Sequence, residues 1–507
     1  VITVKRFYIT TAIDYVNARP HLGHAYEKIV SDVIARWHRL KGEDVFFLTG
    51  TDENAQKNEQ AARKAKIPVK KFVNQNSDRF EELCRKLNLS HDYFIRTSEP
   101  KHKELSKKIF KRVYNNKNNK GERDIYLGDY KGLYCEGCEE FKTEKDLVNG
   151  KCPEHGTEPV ELEEESFFFR MSRYQNRIEN LLSKPGFIFP DSRRIEMLNR
   201  IREEGLKDLC ISRRKGPSDW GIDLPMLGEK GTKEHYLSGD SKIYVWFEAL
   251  LNYVSALGYP NGKDFKKYWP ADIHMIGKGI NWFHSVIWPS MLLSAGMELP
   301  KRIVVHGYIT VNGKKLSKSL GNVIDPVELT KKYPVDALRY FLVREIPFGE
   351  DGDFSEDALK ARINGELVAD LGNLVSRVLT LAEKHGGPFR GKPELEKELD
   401  FRSIEKKIDA LELHHTLDGV WSFVRACNKY INDKEPWKLD GEELSNVLYN
   451  LLEAVRVISI LILPFMPEIS GRISKQLGVK VGTFKDLKFR AFKGKPRKGE
   501  HLFKKAE

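Results

Sequence analysis

The first fifty residues already commit the chain to a parallel sheet. Residues 7–13 make a buried-strand candidate, a helical pattern follows over residues 23–41, and residues 44–48 make a second strand. On that helix Ile29, Val33, Trp37 and Leu40 share one face, Val30 and Ile34 flank them, and Gly42 is a suitable stop. Two strands joined through a helix of this length pair in parallel with a right-handed crossover. Near residue 115 the texture changes to a polar loop (115–120) and then a cysteine-bearing segment. Strand-and-helix texture returns near Ile243 and again at residues 302–305. Past Glu356 the strand signal fades. Helical periods such as Leu367, Leu371, Leu374, Val375 and Val378, and later Val447, Leu451, Val455 and Ile458, predict an α-helical bundle. The simplest account is one nucleotide-binding α/β fold, interrupted by an inserted domain and followed by helices.

At 507 residues and 40% hydrophobic composition, the chain has material for three or four cores. Its longest apolar run, residues 457–467, is too short for a bilayer and is broken by Pro464, so it reads as a core helix. No charged leader opens the sequence, and a cytoplasmic protein without a membrane span is expected. The final dozen residues are basic and are expected to be loosely held. Lys and Arg exceed Asp and Glu by 85 to 73, a surplus compatible with a polyanionic partner.

Six cysteines in a chain of this length do not make a disulfide framework. Cys84, Cys210 and Cys427 stand alone as small core residues. The other three form a pattern with a histidine. Cys135-Glu136-Gly137-Cys138 is followed after thirteen residues by Cys152-Pro153-Glu154-His155. Two such knuckles close a tetrahedron around Zn²⁺, and four protein ligands make the site structural.

Two separated motifs suit ATP. His21-Leu22-Gly23-His24 opens the first helix, where Gly23 allows close approach and free backbone N–H groups attract phosphate. Far along the chain, Gly313-Lys314-Lys315-Leu316-Ser317-Lys318-Ser319-Leu320-Gly321-Asn322 is a lysine-rich loop able to close over a triphosphate. Neither a Walker A loop nor a G-x-G-x-x-G turn is present, which disfavours P-loop enzymes and dehydrogenases.

In this order the two motifs resemble the HIGH and KMSKS signatures of class I aminoacyl-tRNA synthetases. The likeness runs along nearly the whole chain and is nearest to the methionyl branch, in its bacterial form with one zinc knuckle. The resemblance implies a Rossmann-type parallel-sheet catalytic domain in two halves (1–114 and 226–310) and an inserted zinc-binding domain (115–225). A linking region with the lysine loop (311–356) and an anticodon-binding α-helical bundle (357–507) complete it. It implies that His21 and His24 act in catalysis with Lys318, and that Gly23 and Lys315 join them in holding ATP with its Mg²⁺. It further implies a methionine pocket: Ala12, Ile13 and Tyr15 on one wall, and Trp246, Ala249, Leu250 and Tyr253 on another. Ile280 and His284 would complete that pocket, with Asp52 pairing the substrate ammonium. Asn373, Arg377 and Trp437 match anticodon-reading positions, a chemistry that suits exposed base edges and stacking.

The activity so implied is methionine activation by ATP and transfer to the 3′ end of tRNA(Met), carried out by a monomer, because the dimerisation domain of some relatives has no counterpart here. Two alternatives remain: another class I synthetase, or a synthetase-like RNA-binding protein without catalysis. Three positions depart from the family pattern. Asp14 replaces proline or tyrosine, Asn54-Ala55 replaces His-Gly, and Gly279 replaces an aspartate; Leu316 for methionine is a mild change.

Overall fold

The computed structural model describes residues 4–138, 140–142, 144–215, 220–311, 313–315, 323–490 and 492–507. Six parallel strands form the central sheet, in the order Tyr93–Arg96, Asp44–Asp52, Arg6–Tyr15, Ile273–Gly277, Ile303–His306 and Ile188–Phe189. The order reverses between Arg6–Tyr15 and Ile273–Gly277, and in such sheets a crevice opens there, beyond the carboxyl ends of the strands. The first strand and the helix Leu22–Leu40 lie where residue periodicity places them, with Lys41 as C-cap and Gly42 at φ +82°.

One irregularity shapes the crevice. Thr10 pairs with Leu48 but Ile13 pairs with Gly50, so the first strand carries one extra residue between them. Such a bulge bends a strand and re-aims its side chains. The freed Ala12 N–H is not left unpaired, because it donates to Glu27 Oε1 at 3.0 Å. Glu27 reaches across to His306 Nε2 at 2.9 Å with its other oxygen.

The insertion is built on a long antiparallel ribbon, Ile125–Cys135 against Val160–Phe169, in register from Ile125 with Phe169 to Tyr134 with Val160. Short strands Glu140–Lys142 and Leu209–Cys210 flank it. The stretch 115–225 is not one continuous insertion, however. Ile188–Phe189 leaves it to pair with Ile303–His306 at the edge of the parallel sheet, where Ile188 is buried. A two-residue strand has no period, so only its tertiary partner reveals it.

The helices after Glu356 share one apolar core with the first helix and one sheet face. Ile29, Leu338, Leu374 and Leu451 belong to the same cluster. Among the described residues, Gly441–Ile462 is long and apolar enough to cross a membrane, but 89% of its most apolar window is buried within the protein. The C-terminal stretch corrects its expected looseness. Leu502 and Phe503 are buried, Arg472 donates to the carbonyls of His501 (2.8 Å) and Leu502 (3.0 Å), and Ala506 N–H donates to Asn364 Oδ1 (2.9 Å). Two apolar residues in a basic stretch are enough to dock it, and an average over composition hides them.

Candidate functional site

Two cavities are lined by residues from the carboxyl end of the first strand. The smaller one is lined by Ala12, Ile13, Tyr15, Asp52, Trp246, Ala249, Leu250, Tyr253, Ile280 and His284, all ten residues expected there, with Asn252 in addition. The bulge at residues 11–12 and the chain around Trp246 bring these walls together. The slot is narrow, about 20 Å³, so its walls must shift before a ligand side chain enters. Trp246 stacks flat on Phe283 with centroids 3.7 Å apart, and Tyr15 meets its edge at 6.3 Å.

The slot's polar groups are few and oriented. His284 Nδ1 faces the Ile280 carbonyl at 3.0 Å and its Nε2 faces Tyr253 Oη at 2.7 Å. Burial pushes its pKa down to about 4, against the Ile280 hydrogen bond and the Glu27 charge, so the ring is neutral. Nδ1 therefore carries the proton and Nε2 accepts from the tyrosine. Asp52 is buried at the carboxyl end of its strand. Asn252 Oδ1 and Trp246 Nε1 are buried without partners among the described residues, an arrangement that suits a ligand with a polar end.

The second cavity, about 220 Å³, is lined by Asp14, His21, Gly23, His24, Glu27, Gly277, His306, Gly307, Tyr308 and Ile309. Its floor is the amino end of the first helix. Gly23 N–H donates to His21 Nδ1 (3.1 Å), His21 N–H donates to His24 Nδ1 (3.0 Å), and the rings stack 3.7 Å apart. Burial, with the Lys28 and His306 charges, lowers the His24 pKa to about 3. Because Nδ1 of neutral His24 is an acceptor, its proton sits on Nε2, a donor for an anionic ligand. That atom lies 3.7 Å from Asp14 Oδ1, and Asp14 is bound to the ammonium of the fully buried Lys28.

Sequence reasoning missed Glu27, His306 and Tyr308 as cavity residues. Glu27 is one turn beyond His24 on the same helix, a spacing that could have marked it. His306, at a strand end 279 residues from Glu27, and Tyr308 just beyond it leave no local signal. The departure at Gly279 also has a structural counterpart. A Cβ there would lie 2.3 Å from the Tyr308 hydroxyl, so that hydroxyl fills space a larger residue would need. Asn54 donates to the Thr97 carbonyl and Glu248 Oε1, each at 3.1 Å.

The lysine loop springs from a small sheet, where Lys314–Lys315 pairs with Ile309–Val311 at the edge of this cavity. Residues 316–322, with Lys318, lie outside the described residues, as does the side chain of Lys315.

At the ribbon tip, the ligand atoms of Cys135, Cys138, Cys152 and His155 all lie within 4.8 Å of one another. Cys138 Sγ is 3.4 Å from Cys152 Sγ and 3.3 Å from His155 Nδ1. Ligands about 2.3 Å from a tetrahedral Zn²⁺ stand roughly 3.8 Å apart, so three thiols and an imidazole this close fit such an ion. In the bundle, Asn373 and Arg377 are one turn apart on the helix Asn373–His385. The Arg377 guanidinium lies 5.9 Å from the Trp437 ring, which is 54% exposed.

The family model described as "tRNA synthetases class I (M)" matches residues 7–161 and 146–379. The chain is 43% identical to the methionine–tRNA ligase of Caldanaerobacter subterraneus subsp. tengcongensis, over 98% of its own length and 78% of that protein's. It is 42% identical to the Thermotoga maritima ligase, over 98% and 77% of the two lengths. A solved structure of Mycobacterium tuberculosis methionyl-tRNA synthetase in complex with methionyl-adenylate superposes with a TM-score of 0.90 at 38% identity. It covers 99% of this chain and all of that one.

Proposed function

Since the chain belongs to the family of class I tRNA synthetases (M), we propose that its two cavities bring the carboxylate of methionine to the α-phosphate of ATP. The reaction catalysed is methionine–tRNA ligation, an ATP-dependent activation followed by transfer to tRNA. One observation carries the division of roles: an apolar slot ending in the buried carboxylate of Asp52 lies on the same bulged strand as the cavity of His21 and His24.

Methionine enters the slot by its side chain, against Ala12, Ile13, Tyr15, Trp246, Ala249, Leu250, Tyr253, Ile280 and His284, and Asp52 pairs its ammonium. MgATP lies over Gly23, where the Nε2 protons of His21 and His24 meet α-phosphate oxygens. A carboxylate oxygen of methionine then attacks the α-phosphorus. The bond to the bridging oxygen breaks, and pyrophosphate leaves with that electron pair, held by Lys315 and Lys318. In the second step the terminal ribose hydroxyl of tRNA attacks the methionyl carbonyl and AMP departs. No side chain becomes a covalent nucleophile. The enzyme contributes position and charge.

Zn²⁺ at Cys135, Cys138, Cys152 and His155 would hold the ribbon tip in shape and supply no chemistry to the reaction, since four protein ligands close its coordination. Residues 357–507 would read the anticodon.

Methionine-dependent pyrophosphate exchange tests the assignment. Methionine is expected to exceed leucine by ~10- to 200-fold, the discrimination an apolar pocket supports. Equal rates with leucine would remove the specificity reading.

Trp437 supports the anticodon role, because an indole exposed this far is not a core residue and offers a free face to a base. Trp437→Ala is expected to lower tRNA charging ~10- to 100-fold, from a stacking contact of ~1–3 kcal/mol. Pyrophosphate exchange and melting temperature should stay near wild type. A charging rate unchanged in this variant would exclude stacking on Trp437.

A further inference from the structure

Lys57 touches both the metal knuckle and the methionine slot. It lies on the short helix Gln56–Lys64, just after the strand that ends in Asp52. Its Nζ donates to the Gly137 carbonyl at 3.1 Å and lies 3.2 Å from the centroid of the Tyr15 ring. Gly137 stands between two of the knuckle cysteines, and its backbone is pressed against the imidazole of His155, the fourth knuckle residue. A Cβ on Gly137 would approach His155 Cγ to 2.5 Å. Tyr15, at the other end, forms the slot wall edge-on to Trp246. One ammonium thus links the ligand shell of the knuckle, through a backbone carbonyl, to an aromatic wall of the slot.

We propose that Lys57 is a positioning residue that makes methionine affinity depend on the metal-loaded knuckle. A carbonyl accepts within a limited range of directions, and a cation is drawn to the face of an aromatic ring. When the knuckle is closed, the Gly137 carbonyl fixes the ammonium, and the ammonium fixes the Tyr15 ring. When the knuckle opens, the carbonyl moves, and Tyr15 loses the contact that sets the slot width. The proposal rests on the assignment of the slot to methionine and of the knuckle to zinc. It assigns Lys57 no contact with ATP.

The test measures the methionine Kd by quenching of tryptophan emission, the KM for ATP and the zinc content of the full chain. The proteins compared are wild type, Lys57→Met, Lys57→Arg and Tyr15→Leu. Lys57→Met should keep one zinc per chain and a wild-type KM for ATP while weakening methionine ~3- to 30-fold, the range of a desolvated cation–ring contact. Lys57→Arg should recover most of that loss. Chelation should weaken methionine binding in wild type by a similar factor and add little in Lys57→Met. Tyr15→Leu should weaken methionine binding as well.

An unchanged Kd in Lys57→Met, with Tyr15→Leu weakened, overturns the coupling and leaves the slot assignment standing. An unchanged Kd in Tyr15→Leu takes down the slot assignment and the coupling with it. Loss of zinc or folding in both Lys57 variants, or an equal chelation effect in wild type and Lys57→Met, also overturns the proposal.

Discussion

Lys318→Ala is expected to slow methionine-dependent pyrophosphate exchange by ~10²- to 10³-fold, the cost of removing one preorganised donor from developing charge. The reaction moves negative charge onto departing pyrophosphate, and something positive must meet it. Among the described residues lining the cavity proposed for ATP there is no lysine or arginine, but there are two carboxylates, Asp14 and Glu27. His24 is neutral. The nearby lysines are committed elsewhere, Lys28 to Asp14 and Lys278 to Asp351 at 2.7 Å. The cavity therefore relies on charge brought from outside its lining, and the lysine loop begins at its rim. Because that charge matters most as the bond breaks, kcat should fall while the methionine Kd stays within about twofold. Exchange kinetics with a fluorescence titration on one preparation give both numbers. Wild-type turnover in the variant would show that the loop is not catalytic.

What could be read from the residues alone follows from the range of each interaction. The first strand, its helix and the bundle repeat at 2.0 or 3.6 residues, so local pattern was sufficient. The slot was legible because its walls sit in short runs, residues 12–15, 246–253 and 280–284, whose members converge within one or two turns. The knuckle was legible because tetrahedral coordination demands close spacing.

Contacts made across the chain left no such trace. Glu27 gains its meaning from the freed Ala12 N–H and from His306, and neither is visible until the sheet is assembled. Asp14 read as a departure from the family pattern. The structure supplies its partner in Lys28, buried one helix away. Tyr308 beside Gly279 is similar, a close approach between positions 29 residues apart in sequence that only packing connects.

The tie between the catalytic sheet and the bundle is equally long-range, and it carries the second large expectation. Arg339 is fully buried. It donates to the carbonyls of Phe465 (2.9 Å), Pro464 (2.9 Å) and Leu87 (3.1 Å), and pairs with Asp32 at 2.7 Å. Asp32 is on the first helix, two turns beyond His24, and residues 464–465 lie in the turn after the central bundle helix. One guanidinium thereby joins the first helix to the C-terminal helical bundle.

Arg339→Met keeps much of the volume but leaves the Asp32 carboxylate and three carbonyls short of a donor. Breaking a buried pair from one side costs ~3–5 kcal/mol, and a lower urea midpoint at neutral pH is expected. The pH dependence has a definite sign. Burial alone would raise the Asp32 carboxyl, but Arg339, Arg36 and Ser90 hold it below the ordinary carboxylate range. Stability from that depression is present above the unfolded value of ~3.9 and is lost as pH falls through the folded one. Without Arg339, Asp32 keeps its proton to higher pH. The deficit of the variant should then be largest near neutrality and shrink toward pH 4, as the buried group becomes neutral. A deficit that stays constant from pH 7 to pH 4 would mean that lost packing, not the stranded carboxylate, dominates. Function should divide along the same line. At temperatures where the variant remains folded, pyrophosphate exchange needs only the sheet and its loops, whereas charging, under the proposed anticodon role of the bundle, needs both ends of the tRNA engaged across the joint. Charging should fall further than exchange; an equal fall in both would assign Arg339 to stability alone.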